Sequence, residues 1–113
     1  MRIPFLDLKA QYVTIKEETN LAIQSVLDQN SYILGPSVEE FEEKFADFCD
    51  AKYCVALNSG TSALHASLLA HGVSAGDEVI TVPNTFVATT WAIDYCNAKP
   101  VFVDVTNDTF LMD

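Results

Sequence analysis

The sequence predicts an α/β fold, a mostly parallel sheet with flanking helices, and three observations carry that expectation. From residue 53 onward, short runs rich in β-branched residues (YCVAL, EVITV, VFVDV) alternate with helix-like runs in the order βαβαβ. The intervening stretches are long enough to serve as the crossovers that parallel strands require. The front of the chain holds two amphipathic helical patterns and no strand signal.

Taken in order, Tyr12, Ile15, Ala22, Ile23, Val26 and Leu27 fall near helical spacing, with Lys16, Glu17, Glu18 and Gln24 on other faces. One amphipathic helix over residues 7–29 is expected, with a break near Thr19 and Asn20 left open. Gly35 and Pro36 end a connection and prepare the next element. Ser37 and Glu40 then have the spacing of a capping box, and Val38, Phe41, Phe45 and Phe48 follow as an apolar stripe expected to be core. The carboxylates Glu39, Glu40, Glu42, Glu43 and Asp47 read as a solvated face favoured by the helix dipole, with no metal or acid–base role.

Residues 53–57 are the first expected strand, 58–60 a turn, and Thr61 opens a helix that closes near His71 and Gly72. His65 lacks a second ligand at metal spacing and reads as a packed helix residue; His71 reads as a C-terminal cap. A turn at 74–77 leads to a second strand at 78–82, which Pro83 ends. Asn84 and Thr85 are capping types before a helix at 86–96, and a third strand is expected at 101–105. Three strands make a thin sheet, so the chain is expected to be the front portion of a larger domain.

The balance of six Lys and Arg against sixteen Asp and Glu gives a formal charge of −10. No basic patch is present for nucleic acid or an anionic membrane. Cys49, Cys54 and Cys96 show no paired spacing and are expected to be small buried hydrophobes in a reducing compartment. Asp7 and Lys9 interrupt the start before a signal peptide could form, and the cytoplasm is the expected location.

The chemistry-bearing stretch is NSGTSAL. A helix starting there aims the backbone N–H groups of Gly60, Thr61 and Ser62 outward, beside the Thr61 hydroxyl and the positive end of the helix dipole. Such a place suits a phosphate. Gly60, without a Cβ, allows the turn and a close approach of the anion. The same residue types serve many turns as caps alone. No Walker A lysine follows Gly60, and the dinucleotide fingerprint would need three spaced glycines where one stands. One strand later, Phe86 falls at the start of the next helix on the same edge of the sheet. It is either core or an aromatic face beside the phosphate seat, as a flat phosphorylated ring would need. Ligands of open parallel sheets gather beyond the carboxyl ends of the strands, where both stretches fall.

In order, IPFLDLKAQY, YILGPSVEEFEEKFADF, NSGTSALHASLLA, GDEVITVPNTFVATTWAI and PVFVDV resemble the DegT/DnrJ/EryC1/StrS family of pyridoxal-phosphate-dependent sugar aminotransferases, over almost the whole chain. The resemblance implies a fold-type I transferase in which residues 1–36 form an N-terminal helical segment and connection, and residues 37–113 the first part of the large cofactor domain. It implies pyridoxal 5'-phosphate as cofactor, with Gly60, Thr61 and Ser62 at the phosphate and Phe86 stacked on the ring. It further implies amino transfer from glutamate or glutamine to a keto sugar nucleotide, in a homodimer with sites at the subunit interface.

The family's catalytic lysine and its aspartate partner for the pyridine nitrogen match no residue here. Lys9, Lys16, Lys44, Lys52 and Lys99 lie outside the lysine's position, and Asp104 is expected in a strand-end role. No catalytic residue is assigned, and this stretch alone is expected not to transaminate. Residues 32–35 match a loop near the family's active site. Two alternatives stay open: a sugar dehydratase of the same family, with histidine replacing the lysine, and a non-catalytic sensor that keeps the anion seat.

Overall fold

The structure, a computed structural model, describes residues 5–113, so Ile3 and Pro4 of the first matching block and the opening of the expected 1–36 segment lie outside the described residues. The chain divides into two compact units, the first ending at Ala56 and the second spanning Leu57–Asp113.

The first unit carries α1 (Leu8–Gln29) and α2 (Pro36–Phe48). Asp7 caps α1, its Oδ1 accepting from the Ala10 amide at 3.0 Å and so satisfying one of the helix's orphan donors. The helix runs unbroken through Thr19 and Asn20, as the single helix expected, which closes the open question of a break there. Neither is Gly or Pro, and each lowers helix stability by at most about 0.7 kcal/mol relative to Ala, too little to interrupt a 22-residue helix. Asn30 ends it in the left-handed region (φ 51), which Asn tolerates better than most residues.

The expected capping box at Ser37 does not form. Gly35 is the N-cap of α2 and Pro36 its first residue, where a missing N–H costs nothing, so Ser37 already lies inside the helix. Glu40, its intended partner, is paired instead with Lys44 one turn on. Gly35 is needed for close approach: a Cβ there would lie 1.9 Å from Ser31 Oγ. Phe41, Phe45 and Phe48 do form one stripe, with successive ring centroids 5.4 and 6.2 Å apart. They are not core, however, being 51%, 45% and 84% exposed, and Ala46 is the buried residue of α2. Periodicity sets which side of a helix is apolar; burial requires a second layer, and none of the described residues of this unit covers that side. Glu42, expected on the solvated face, has a definite partner, its Oε1 accepting from the Ala56 amide at 2.7 Å. That bond ties the segment after α2 back to the helix.

The second unit carries α3 (Gly60–Ala70), β1 (Glu78–Thr81), α4 (Ala88–Tyr95) and β2 (Lys99–Phe102). β1 and β2 pair in parallel, from Glu78 opposite Lys99 to Thr81 opposite Phe102, with α4 in the connection between them. The expected strand at 53–57 is absent. YCVAL has the composition of a strand, but a strand exists through a neighbour's backbone, and among the described residues none pairs with it. Tyr53 and Val55 are accordingly 76% and 75% exposed.

β2 begins two residues before the expected strand at 101–105 and includes Pro100. The amides of Lys99 and Val103 donate to Asp77 and Thr81 carbonyls, each at 2.9 Å, so alternate amides face β1 and the missing N–H of Pro100 falls on the other side. Val105, expected at the strand's end, instead forms an isolated antiparallel bridge with Met112. Asp104 serves locally, its Oδ1 accepting from the Val105 amide at 2.8 Å.

Glu78 and Lys99, opposite each other in the ladder, also pair through their side chains at 2.7 Å. The hydrogen bond from Lys99 to Glu78, and then the carboxylate's charge, hold the ammonium above the ordinary lysine range. Because that value is raised, the pair's contribution is present at neutral pH and fades as pH rises through it. The pair is exposed and screened by salt.

The core of this unit is Ile93, Cys96 and Ala98, with Leu68, Val73 and Val79 against it. Cys96 is buried as expected, whereas Cys54 is half-buried and Cys49 exposed. α3 closes at His71, whose Nδ1 lies 2.8 Å from the Ser67 carbonyl, in the cap role expected of it. Gly72 follows at φ 80, and the Val73 amide bonds back to the Leu68 carbonyl at 3.1 Å, the closure a left-handed glycine permits. His65 is half-buried and meets Tyr95 edge-on at 5.5 Å, a packed helix residue as expected. Among the described residues no helix is long and apolar enough to cross a membrane.

Candidate functional site

Two serines flank Gly60, and their hydrogen bonds decide which amides are free at the start of α3. Ser59 is extended and acts as N-cap, its Oγ accepting from the Ser62 amide at 3.1 Å and donating to Ser62 Oγ at 3.1 Å. The helix therefore begins at Gly60, one residue earlier than expected, and the Ser62 amide is taken. Of the three amides expected to face outward, those of Gly60 and Thr61 have no partner among the described residues. Gly60 does not have a left-handed backbone, and a Cβ built on it would meet nothing within 4 Å. What it provides is open space beside the amides; the turn does not demand its conformational freedom.

Phe86 lies in the loop before α4, since that helix starts at Ala88 with Val87 as an N-cap that makes no side-chain bond. Asn84 and Thr85 thus do not cap the helix directly; Thr85 Oγ1 lies 2.9 Å from Thr89 Oγ1. Among the described residues Phe86 is 73% exposed and packs in no core, and its ring stands at a steep angle to Trp91 with the centroids 6.3 Å apart.

The second unit brings Gly60, Thr61 and Phe86 to one open cleft of about 590 Å³, with Thr89 also in its wall. The lining is largely apolar with a few polar donors, the usual make-up of a small-molecule site. Ser62 does not line it. Among the described residues no His, Lys, Cys, Asp or Glu does either, so what they bring to the cleft is apolar surface, backbone donors and hydroxyls. The unit's single lysine, Lys99, is paired with Glu78. Attraction for an anion here rests on the helix N-terminus, equivalent to about half a positive charge, and on the two amides. A cleft of about 310 Å³ in the first unit is walled by Glu39, Glu42 and Glu43 against Lys52, the wrong sign for a phosphate.

Sequence reasoning missed Thr89 and the capping role of Ser59. Thr89 stands three residues after Phe86, in the first turn of a helix, and that offset was the signal available. For Ser59, the string NSGTS offers two serines able to cap, and only the backbone geometry chooses between them.

The sequence profile of the DegT/DnrJ/EryC1/StrS aminotransferase family matches residues 13–113. Over 111 residues the chain is 47% identical to UDP-2-acetamido-2-deoxy-3-oxo-D-glucuronate aminotransferase of Pseudomonas aeruginosa, covering 98% of this chain and 31% of that protein. The structure is similar to S. venezuelae DesV in complex with a ketimine intermediate, with TM-score 0.94, 43% identity, and 99% of this chain covering 30% of that one. It is also similar to E. coli GDP-4-keto-6-deoxy-D-mannose-3-dehydratase with bound hydrated PLP, with TM-score 0.77, 29% identity, and 83% of this chain covering 26% of that one. The chain thus spans about a third or less of the length of these relatives. The expected fold class, the N-terminal part of a fold-type I transferase large domain, is borne out at this level of similarity.

Proposed function

Because the chain belongs to the DegT/DnrJ/EryC1/StrS aminotransferase family, we propose that it supplies the N-terminal part of a pyridoxal-phosphate-dependent enzyme that moves an amino group from glutamate or glutamine to a keto sugar nucleotide. The observation that carries this reading is the convergence of the Gly60 and Thr61 amides with the exposed Phe86 ring on one cleft.

The residues present fit pyridoxal 5'-phosphate. Two unpartnered amides at a helix N-terminus meet a phosphate's need for donors, and the open space at Gly60 admits it. Phe86 offers a face of matching shape to the pyridine ring. When bound, the cofactor supplies the electron sink for the reaction. In this reading Gly60 and Thr61 donate their amides to the phosphate, and the Thr61 hydroxyl adds a third donor. Ser62 stands outside the cleft wall with its amide held by Ser59, so in this reading it shapes the helix start and donates nothing to the anion. Phe86 covers the ring and keeps water from that side.

Residues 1–36 serve as the entry segment and residues 37–113 as the start of the large domain of a cytoplasmic homodimer, with the remaining catalytic groups supplied from beyond this stretch. The strongly acidic charge favours neither nucleic acid nor an anionic membrane as partner.

The test is to incubate the full-length protein and cofactor with glutamate or glutamine and keto sugar nucleotides. Appearance of the amino sugar supports the proposal. Loss of a sugar hydroxyl without amino transfer assigns the dehydratase reading, and cofactor binding with neither reaction assigns the sensor. In the same protein, Thr61→Ala, which removes one hydrogen bond to a charged group, is expected to weaken cofactor binding by about ten- to hundredfold. Unchanged affinity on titration would reduce the Thr61 side chain to a helix-start residue.

A further inference from the structure

A ring that swings freely loses affinity to the entropy of ordering it, so an exposed aromatic makes a good platform only when something holds it. Phe86 is such a ring, and the residues around it are tied together. Thr85, immediately before it, and Thr89, one helical turn later, bring their Oγ1 atoms to 2.9 Å. The Thr89 amide donates to the carbonyl of Phe86 itself at 3.1 Å, and the Thr85 amide donates to the Pro83 carbonyl at 2.9 Å. The Trp91 ring lies beside that of Phe86 at a steep angle, with centroids 6.3 Å apart. The hydroxyl pair stands apart from helix capping, because the N-cap of α4 is Val87 and makes no side-chain bond. Thr89 also lines the cleft that Gly60, Thr61 and Phe86 share.

We infer that the Thr85–Thr89 hydroxyl pair is a clamp that positions Phe86 against the cleft. The inference rests on the reading of Phe86 as the platform for the cofactor ring. Thr89 is then a positioning residue, acting through the Phe86 ring, and its hydroxyl matters because it closes a loop of five residues, Thr85 to Thr89, that contains Phe86. Either hydroxyl can be the donor, so removal of one breaks the clamp.

The experiment titrates the full-length protein with pyridoxal 5'-phosphate. Wild type is compared with Thr89→Val, which keeps the side chain's shape and loses the hydroxyl, with Thr89→Ser, with Phe86→Ala, and with the Phe86→Ala, Thr89→Val double variant. Thr89→Val is expected to weaken binding by about two- to tenfold, the range for one lost hydrogen bond. Thr89→Ser restores the wild-type affinity. In the Phe86→Ala background Thr89→Val has no further effect, since its influence passes through the ring. The melting temperature of each cofactor-free variant identifies a general loss of stability, which would not produce this non-additivity. Additive effects, wild-type affinity in Thr89→Val, or failure of Thr89→Ser to restore binding would each overturn the clamp while leaving the platform intact. If Phe86→Ala itself binds as tightly as wild type, the platform reading fails, and the clamp fails with it.

Discussion

Gly60→Asp in the full-length protein is expected to lower affinity for pyridoxal 5'-phosphate by about a hundredfold or more without destabilising the fold. The two halves of this expectation have opposite signs for physical reasons. A Cβ at Gly60 meets nothing within 4 Å, so the side chain fits, and its carboxylate sits in the first turn of α3. An acidic group there favours the helix by about 0.3–1 kcal/mol, and replacing glycine in a helix adds to this. The same carboxylate stands where a phosphate would bind. Two like charges about 4 Å apart at an effective dielectric near 20 repel by about 4 kcal/mol. Even about 3 kcal/mol of that amounts to two decades in the dissociation constant. Equilibrium titration gives the affinity, and thermal unfolding of the cofactor-free protein gives the stability. Tight binding in the variant would place the phosphate elsewhere, and a protein that loses stability along with binding would mean that the Gly60 position is packed in the assembled molecule.

Phe86→Ala is expected to weaken the same binding by about tenfold, within the range of about 1–3 kcal/mol found when an aromatic partner of a stacked heterocycle is removed. Phe86→Tyr should restore most of it, because the face is kept. The ring is 73% exposed, so the stability of the cofactor-free protein should shift by less than about 0.5 kcal/mol. The two substitutions separate when pyridoxal, which lacks the phosphate, replaces the cofactor. Gly60→Asp should then lose nearly all of its effect, whereas Phe86→Ala should keep most of its own. A Phe86→Ala protein that binds both compounds like wild type would return Phe86 to the role of an ordinary loop aromatic.

How far the sequence carries depends on whether a feature is local. The start of α3, its glycine closure and the strand at Glu78–Thr81 are written in short runs whose turn and cap chemistry acts within a few residues, and they lie near where the residues place them. Residues 53–57 fail as a strand because their composition states a preference while the ladder requires another chain segment. Ser37 fails as a cap because Pro36 takes the first helical position and Lys44 holds Glu40, competitions that a spacing rule does not weigh. The phenylalanine stripe of α2 is real, but what covers it is not a property of α2.

The site divides along the same line. Gly60, Thr61 and Phe86 meet at the starts of α3 and α4, and only the second of these follows a strand, β1, of the parallel pair. The Ser62 amide is lost to Ser59 through a hydroxyl rotamer, and Thr89 enters through a side-chain pair across one turn. Neither is visible before backbone geometry is known.

The most direct measurement is a crystal structure of the full-length protein with pyridoxal 5'-phosphate bound. Phosphate oxygens within about 3.2 Å of the Gly60 and Thr61 nitrogens, with the pyridine ring lying on Phe86, are the expected result. A phosphate held by other residues, with those two amides bonded to protein and Phe86 turned from the ring, would contradict it.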